Sequence, residues 1–205
     1  MPKDKTASHV QVEAAMRAEF LEKGFEDASV RSIAARAGMS AAGLYRHYKN
    51  KEDMFDALMQ PLLQEMNEWL EHHRTTKYNM VDTGEADREM LFGESFIDLV
   101  KNVLYPRREE FKLLLGGARG TKYEDFIHNF VKEQQEDMTK AFEYMKAHGY
   151  HVKVSTQEEL HMLLSAYTTA VFEPVIHGYT QEKMEHCLDT LSKFFMPGWM
   201  EIMGI

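Results

Sequence analysis

The segment from Ala28 to Lys51 constrains the fold most, because it fits two short helical stretches and a tight turn into very little chain. The Ser29 hydroxyl can cap the first stretch, Gly38 ends it, and Ser40 can cap a second that runs to about Tyr48. Only Gly38 and Met39 remain between them. Helices joined so closely must cross at a large angle, and Ile33, Ala34, Ala37 and Leu44 are the apolar residues available to fill it. The same segment holds Arg31, Arg36, Arg46, Lys49 and Lys51, with His47 among them, and no acidic side chain.

That basic run stands out against an acidic chain. The 205 residues carry a net charge of -9. Charges balance over residues 1–56, so the whole excess of acid falls on residues 57–205. An acidic surface repels the phosphate backbone, which excludes non-specific nucleic-acid binding by the molecule as a whole and leaves a local contact open.

Helical spacing recurs along the chain and strand alternation does not, so the fold class is all-α. A first helix over about Ser8 to Lys23 sets Val12, Ala15, Met16 and Phe20 on one face, and Gly24 closes it. Asn50 can cap a long helix toward His73 that Pro61 would kink. The polar, glycine-bearing stretch 75–86 reads as a loop. Further helices are expected over about Asp87 to Leu104, Pro106 to Leu115, Lys122 to His148, Thr156 to Gly178 and Thr180 to Met203. The expected domains are 1–55, helix-turn-helix, and 56–205, helical.

A helix that reads DNA needs slim residues at its leading turn to approach base edges, and basic or hydroxyl groups beside them to grip phosphates. Ser40, Ala41, Ala42 and Gly43 supply the first requirement, and Tyr45, Arg46, His47, Lys49 and Lys51 the second. If Leu44 points inward, Tyr45 turns outward, about 100° around the helix. A glycine inside a helix costs ~1 kcal/mol relative to alanine, and close approach to a phosphate or base would explain Gly43.

The run from Gly24 to Phe55, GFEDASVRSIAARAGMSAAGLYRHYKNKEDMF, resembles the DNA-binding domain of the tetracycline-repressor (TetR) family. The resemblance implies that Ser29 and Arg31 touch the phosphate backbone, that Ala41, Ala42 and Arg46 face bases, and that Tyr45, His47 and Lys51 hold flanking phosphates. It also implies a homodimer on a palindromic double-stranded operator, a small-molecule effector in the C-terminal domain, and repression relieved by that effector. Two departures stand out. Glu19 occupies a place on the first helix that is usually apolar, where it either loosens the helix or pairs with a nearby arginine. Ala41 and Ala42 offer only methyl groups, suited to thymine methyls, which leaves hydrogen-bonded base reading largely to Arg46.

In the C-terminal region Met66, Trp69, Phe96, Phe130, Tyr167, Glu173 and His177 are the candidates for an effector site, bulky groups with a few polar ones among them. Glu173 lies in an apolar stretch, where it would either pair with a cationic ligand or reach solvent at the Pro174 break. The helix from Thr156 is apolar on more than one side. Met162, Ala166 and Ala170 there, with Met184, Leu188, Leu191 and Phe195 in the last helix, are the expected dimer seam, a four-helix bundle with two helices from each subunit.

Other chemistries fit less well. A carboxylate-bridged di-metal bundle needs two Glu-x-x-His motifs, and the chain offers Glu158-x-x-His161 and only the shorter Asp125-x-x-His128. A metal sensor built on His72, His73, His148 or His151 is weakened by the single cysteine. Cys187 and His186 are adjacent, so they fall on different helix faces. The glycines of Gly116 to Gly120 match no nucleotide-cradling loop. No enzyme activity, metal or cofactor is expected. One cysteine, the absence of a signal-like start, and apolar stretches far short of the ~18–20 residues of a membrane span point to a cytoplasmic protein.

Overall fold

The computed structural model describes residues 5–84, 95–153 and 156–204. The elements are α1 (Lys5–Asp27), α2 (Val30–Arg36), α3 (Ala41–Leu44), α4 (Lys51–Thr83), α5 (Ser95–Leu99) running into a π-helical turn (Val100–Leu104), α6 (Arg108–Gly116), α7 (Phe126–Ala147), α8 (Gln157–Ile176) and α9 (Gln181–Met203). No strand occurs among the described residues, as the helical periodicity requires.

The chain divides into two compact units, residues 1–64 with 107–126, and residues 65–106 with 127–205. The first unit therefore includes α6, which lies beyond the expected boundary near residue 55. Side chains tie α6 to α1: Arg17 pairs with Glu110, and Phe111 and Leu114 are buried. The aromatic rings of Phe20, Phe25 and Phe55 form the centre of this unit, with centroids 5.2 to 6.2 Å apart. Met16, Ile33, Leu44, Met54, Met59 and Leu62 close around them. Gly24 interrupts α1 with φ 71°, a backbone state that favours glycine, and the next N–H, of Phe25, donates to the Gly117 carbonyl at 2.7 Å.

In the second unit α8 packs against α9 and against the π-helical turn. Leu160, Leu164, Tyr167, Val171, Phe172 and Val175 of α8 are buried, as are Met184, Leu188 and Trp199 of α9. Thr156 starts α8 with a full capping box, its hydroxyl accepting from the Glu159 N–H while the Glu159 carboxylate accepts from its own.

The structure corrects the expected loop at 75–86. Helix α4 passes through Pro61 and continues to Thr83, and Gly84 with φ 70° ends it. Val81 is buried and the Tyr78 ring meets that of Tyr144 at 4.6 Å, so packing against α7 holds this polar stretch helical. Residues 85 and 86, and the expected start of the next helix at Asp87, lie outside the described residues. Helix α7 begins at Phe126 rather than Lys122, because the preceding residues bind α4 of the first unit: Lys122 Nζ donates to Asp56 Oδ2 at 2.9 Å and the Tyr123 hydroxyl donates to Asp56.

Candidate functional site

Helices α2 and α3 expose the residues expected to meet DNA and bury those expected to fill the angle between the helices. Ile33, Ala34, Ala37 and Leu44 are buried, whereas Ser29, Arg31, Ser40, Ala42, Tyr45, Arg46 and His47 are exposed and Ala41 and Gly43 half-exposed. Tyr45 keeps 51% of its surface in solvent. The Ser40 hydroxyl accepts from the Gly43 N–H at 3.1 Å. Beyond Leu44 the backbone tightens, with Arg46 N–H to Gly43 O and His47 N–H to Leu44 O three residues apart, so the regular α-helix ends earlier than Tyr48. A Cβ on Gly43 would find ordinary contacts, the nearest at 3.5 Å, so packing within the chain does not demand glycine there.

Ser29 sits at the start of α2 without a side-chain cap bond. Glu19 binds this end of the helix in a different way. Its carboxylate, 0% exposed, accepts from the Ser29 N–H at 3.2 Å, the Ser32 hydroxyl at 2.6 Å and Lys23 Nζ at 2.8 Å, and lies 3.1 Å from Arg36 Nε. Burial alone would raise its pKa, but these donors together hold it at about 2. The expected pairing of Glu19 with an arginine is present, and α1 is firmly bound to α2 through it.

Not all of the five cations face outward. Arg36 is committed to Glu19 and Glu22. Lys51 donates to the carbonyls of Glu26 at 3.0 Å and Ala28 at 3.2 Å and lies 4.4 Å from the centre of the Phe25 ring, so it clasps the end of α1. Arg31, Arg46 and Lys49 are exposed and form no ion pair among the described residues.

The second unit contains a cavity of about 160 Å³. Trp69, Leu70, Phe96, Met138, Phe142 and Leu164 contribute apolar wall, and His73, Arg74, Lys77 and Asp137 contribute polar and charged groups. The His73 ring stacks on Trp69 with centroids 3.6 Å apart, and its buried Nδ1 makes no well-formed hydrogen bond, the Trp69 carbonyl one turn back giving only a weak interaction. Burial, and then the charge of Lys77, push His73 below its ordinary pKa, so it is neutral at pH 7. Burial lowers the Lys77 amine to about 8.

Residues 12–58 match the family model described as bacterial regulatory proteins, tetR family. The helix-turn-helix segment is thus similar to the DNA-binding domain of the TetR family. Two solved structures share the fold over almost the whole length. A TetR-like transcriptional regulator from a Rhodococcus species is 18% identical, with 95% of this chain and 97% of that one covered at a TM-score of 0.57. A TetR-family protein from Mesorhizobium loti is 16% identical, with 95% and 98% covered at 0.51.

The remaining expected residues are dispersed. Trp69 and Phe96 line the cavity. Met66 is buried without lining it, and Phe130 and Tyr167 are buried behind its wall, each in ring contact with Phe96. Glu173 and His177 do not line it. They pair with each other at 2.6 Å, one turn apart and about half exposed, so the carboxylate takes the solvent route at Pro174. Of the expected seam, Met184 and Leu188 are buried within the chain's own packing, Ala170, Leu191 and Phe195 are half-buried, and Met162 and Ala166 are exposed. Phe194, on the same helix as Leu191, is 74% exposed.

Lys77 and Tyr78 escaped the sequence reading because they fall in the stretch read as a loop, Arg74 stands just before it, and His73 entered only as a metal-ligand candidate. Their signal was the continuation of helical spacing from Trp69 through His73, Lys77 and Val81. His161, of the Glu-x-x-His motif, has Nδ1 3.1 Å from Gln135 Oε1, and no group of three His, Cys, Asp or Glu that could hold a metal occurs among the described residues. No helix there is long and apolar enough to cross a membrane.

Proposed function

We propose that this protein is a ligand-responsive repressor of transcription, binding a palindromic operator as a homodimer and released by a small molecule that occupies the cavity of the second unit. The observation that carries the reading is the exposed face of α2 and α3, where Arg31, Tyr45, Arg46, His47 and Lys49 surround the slim turn from Ser40 to Gly43. In this reading Ser29 and Arg31 contact phosphates, Ala41, Ala42 and Arg46 face bases, and Tyr45 and His47 hold the flanks, while Lys51 positions α1 against α4 instead of gripping a phosphate. Gly43 allows the backbone to approach the duplex, which fits a glycine that the chain's own packing does not demand.

The homodimer joins exposed apolar groups of α8 and α9, with Met162 at 62% exposure and Phe194 at 74% as its anchors. Two reading heads must then reach successive major grooves ~34–36 Å apart. A ligand releases the operator only through its different affinity for the bound and free arrangements. Helix α4 is the proposed carrier, since its first turns belong to the DNA-binding unit and its later turns line the cavity. Such a regulator acts in the cytoplasm.

Selection of bound duplexes from a random pool tests the reading directly. A two-fold symmetric site is expected, with binding lost in Arg46→Ala. Recovery of an asymmetric site, or of none, together with a monomer by light scattering, would overturn it.

A further inference from the structure

We infer that the cavity of the second unit takes an uncharged ligand of one aromatic ring, held by contact with the walls and not by an ion pair. This deepens the effector reading above and rests on it. Size sets the first limit. At about 160 Å³ the cavity is close to one of ~150 Å³ that binds benzene, so a single ring with a short substituent fills it. Trp69, Phe96 and Phe142 line it with rings, which pack on a flat aromatic body edge-to-face or offset. Met138 and Met145 share the wall, and their unbranched side chains adjust to the outline of what they meet.

Charge sets the second limit. Arg74, Lys77 and Asp137 bring charge to the wall, and all three are engaged inside the protein. Arg74 Nη1 meets Asp137 Oδ2 at 2.6 Å and Arg74 Nη2 meets Glu71 Oε1 at 2.6 Å, while Lys77 has an interaction of its own. The Tyr144 hydroxyl, also on the wall, donates to Asp82. His73 is neutral at pH 7, with its ring stacked on Trp69, and adds no charge. A carboxylate would therefore have to draw Arg74 or Lys77 from the contact it already has. An ammonium would share a low-dielectric space with Lys77, where like charges repel. Either ion also gives up its hydration on entering, which is costly without a partner. A neutral ring loses little hydration, disturbs none of these pairs, and gains contact over its whole surface.

The test compares toluene with benzoate and benzylamine, its charged counterparts of similar size, and with methylcyclohexane, which is neutral but not flat. Calorimetry at pH 7 gives affinity, and the change in Trp69 emission in a Trp199→Phe background gives location. Toluene should bind ten-fold or more tightly than each of the other three. Ala141→Leu puts a larger side chain on the wall and should weaken toluene ten-fold or more, with the melting midpoint of the free protein no lower than the parent's. The parent protein decides the first comparison even if that variant folds poorly. A charged probe that matches or exceeds toluene would overturn the uncharged ligand, and methylcyclohexane binding as tightly would overturn the aromatic ring. No heat and no change in emission with toluene at millimolar concentration would overturn the inference as well. Operator affinity, measured with each probe present, separates this from the effector reading. Toluene that binds and leaves operator affinity unchanged sustains the ligand class and removes the effector role, whereas release by a charged probe alone does the reverse.

Discussion

Glu19 in the DNA-binding unit and Lys77 in the second are both largely withdrawn from water, and burial decides the outcome at only one of them. Around Glu19 the donors of Ser29, Ser32, Lys23 and Arg36 outweigh burial and hold the carboxylate at about 2. At Lys77 burial prevails and the amine falls to about 8. The first unit satisfies its buried charge with its own groups, as an element that must present one fixed shape to DNA requires. The second sets an amine lowered by burial and the poorly bonded His73 Nδ1 at the wall of a cavity.

The comparison breaks first at Glu19. Glu19→Ala leaves the Ser29 N–H and two cations without their buried acceptor, and should cost about 3 kcal/mol of stability in thermal or urea unfolding, with operator binding lost as α2 loosens. A change below about 1 kcal/mol would mean the four contacts hold nothing together. Protonation acts in the same direction. Because the folded carboxyl sits near 2 and the ordinary value is 4.5, the unfolded chain takes up the proton first. Stability from this group is complete above about 4.5 and disappears as the pH falls toward 2. In Glu19→Gln that acid limb should flatten, measured by urea midpoints across the window.

Arg46→Ala comes next. Its side chain is exposed and bonded to no acid among the described residues, so the thermal midpoint should stay within a degree or two while operator affinity falls about ten-fold or more, the worth of one bidentate base contact of ~1–3 kcal/mol. Equal loss of stability and of affinity would make Arg46 a structural residue. In the second unit, Thr156→Ala removes half of the capping box at α8 and should cost ~1 kcal/mol, read in unfolding, with operator affinity at saturating protein unchanged.

These expectations differ in how far sequence alone led to them. The helix-turn-helix was legible because its signals are local: Ser40 as a cap, Gly38 as a stop, and Ile33, Ala34 and Leu44 at the spacing of an inner face. Even there the Ser29 hydroxyl makes no cap bond, and its N–H is bound by Glu19, ten residues earlier, which no local rule finds. The cavity was largely illegible. Its walls come from α4, α5, α7 and α8, so Trp69, Phe96, Asp137 and Leu164 meet only through tertiary packing. The turns that carry Lys77 and Tyr78 looked like loop because their residues are polar, whereas buried Val81 and the Tyr78 contact with Tyr144 make them helix. Gly84, taken as part of the loop, is the residue that stops α4.

The smallest expected effect separates cations that face DNA from those used internally. Each lysine or arginine that neutralises a phosphate releases counterions, so its loss lowers the slope of log affinity against log salt by about 1. Lys49 is exposed and free of ion pairs among the described residues, and Lys49→Ala should lower the slope by that amount with little change in melting. Arg36 carries the same charge but lies against Glu19 at 3.1 Å and pairs with Glu22, so Arg36→Ala should lower stability and leave the slope nearly unchanged. The slope counts counterions released and the midpoint reports folding, so the two variants fall in opposite corners of one plot. If Arg36→Ala lowered the slope as much as Lys49→Ala, the arginine would have to leave its carboxylates for a phosphate on binding. Glu19 would then lose one of its donors in the complex, and operator binding would draw on the same contacts that hold α1 to α2.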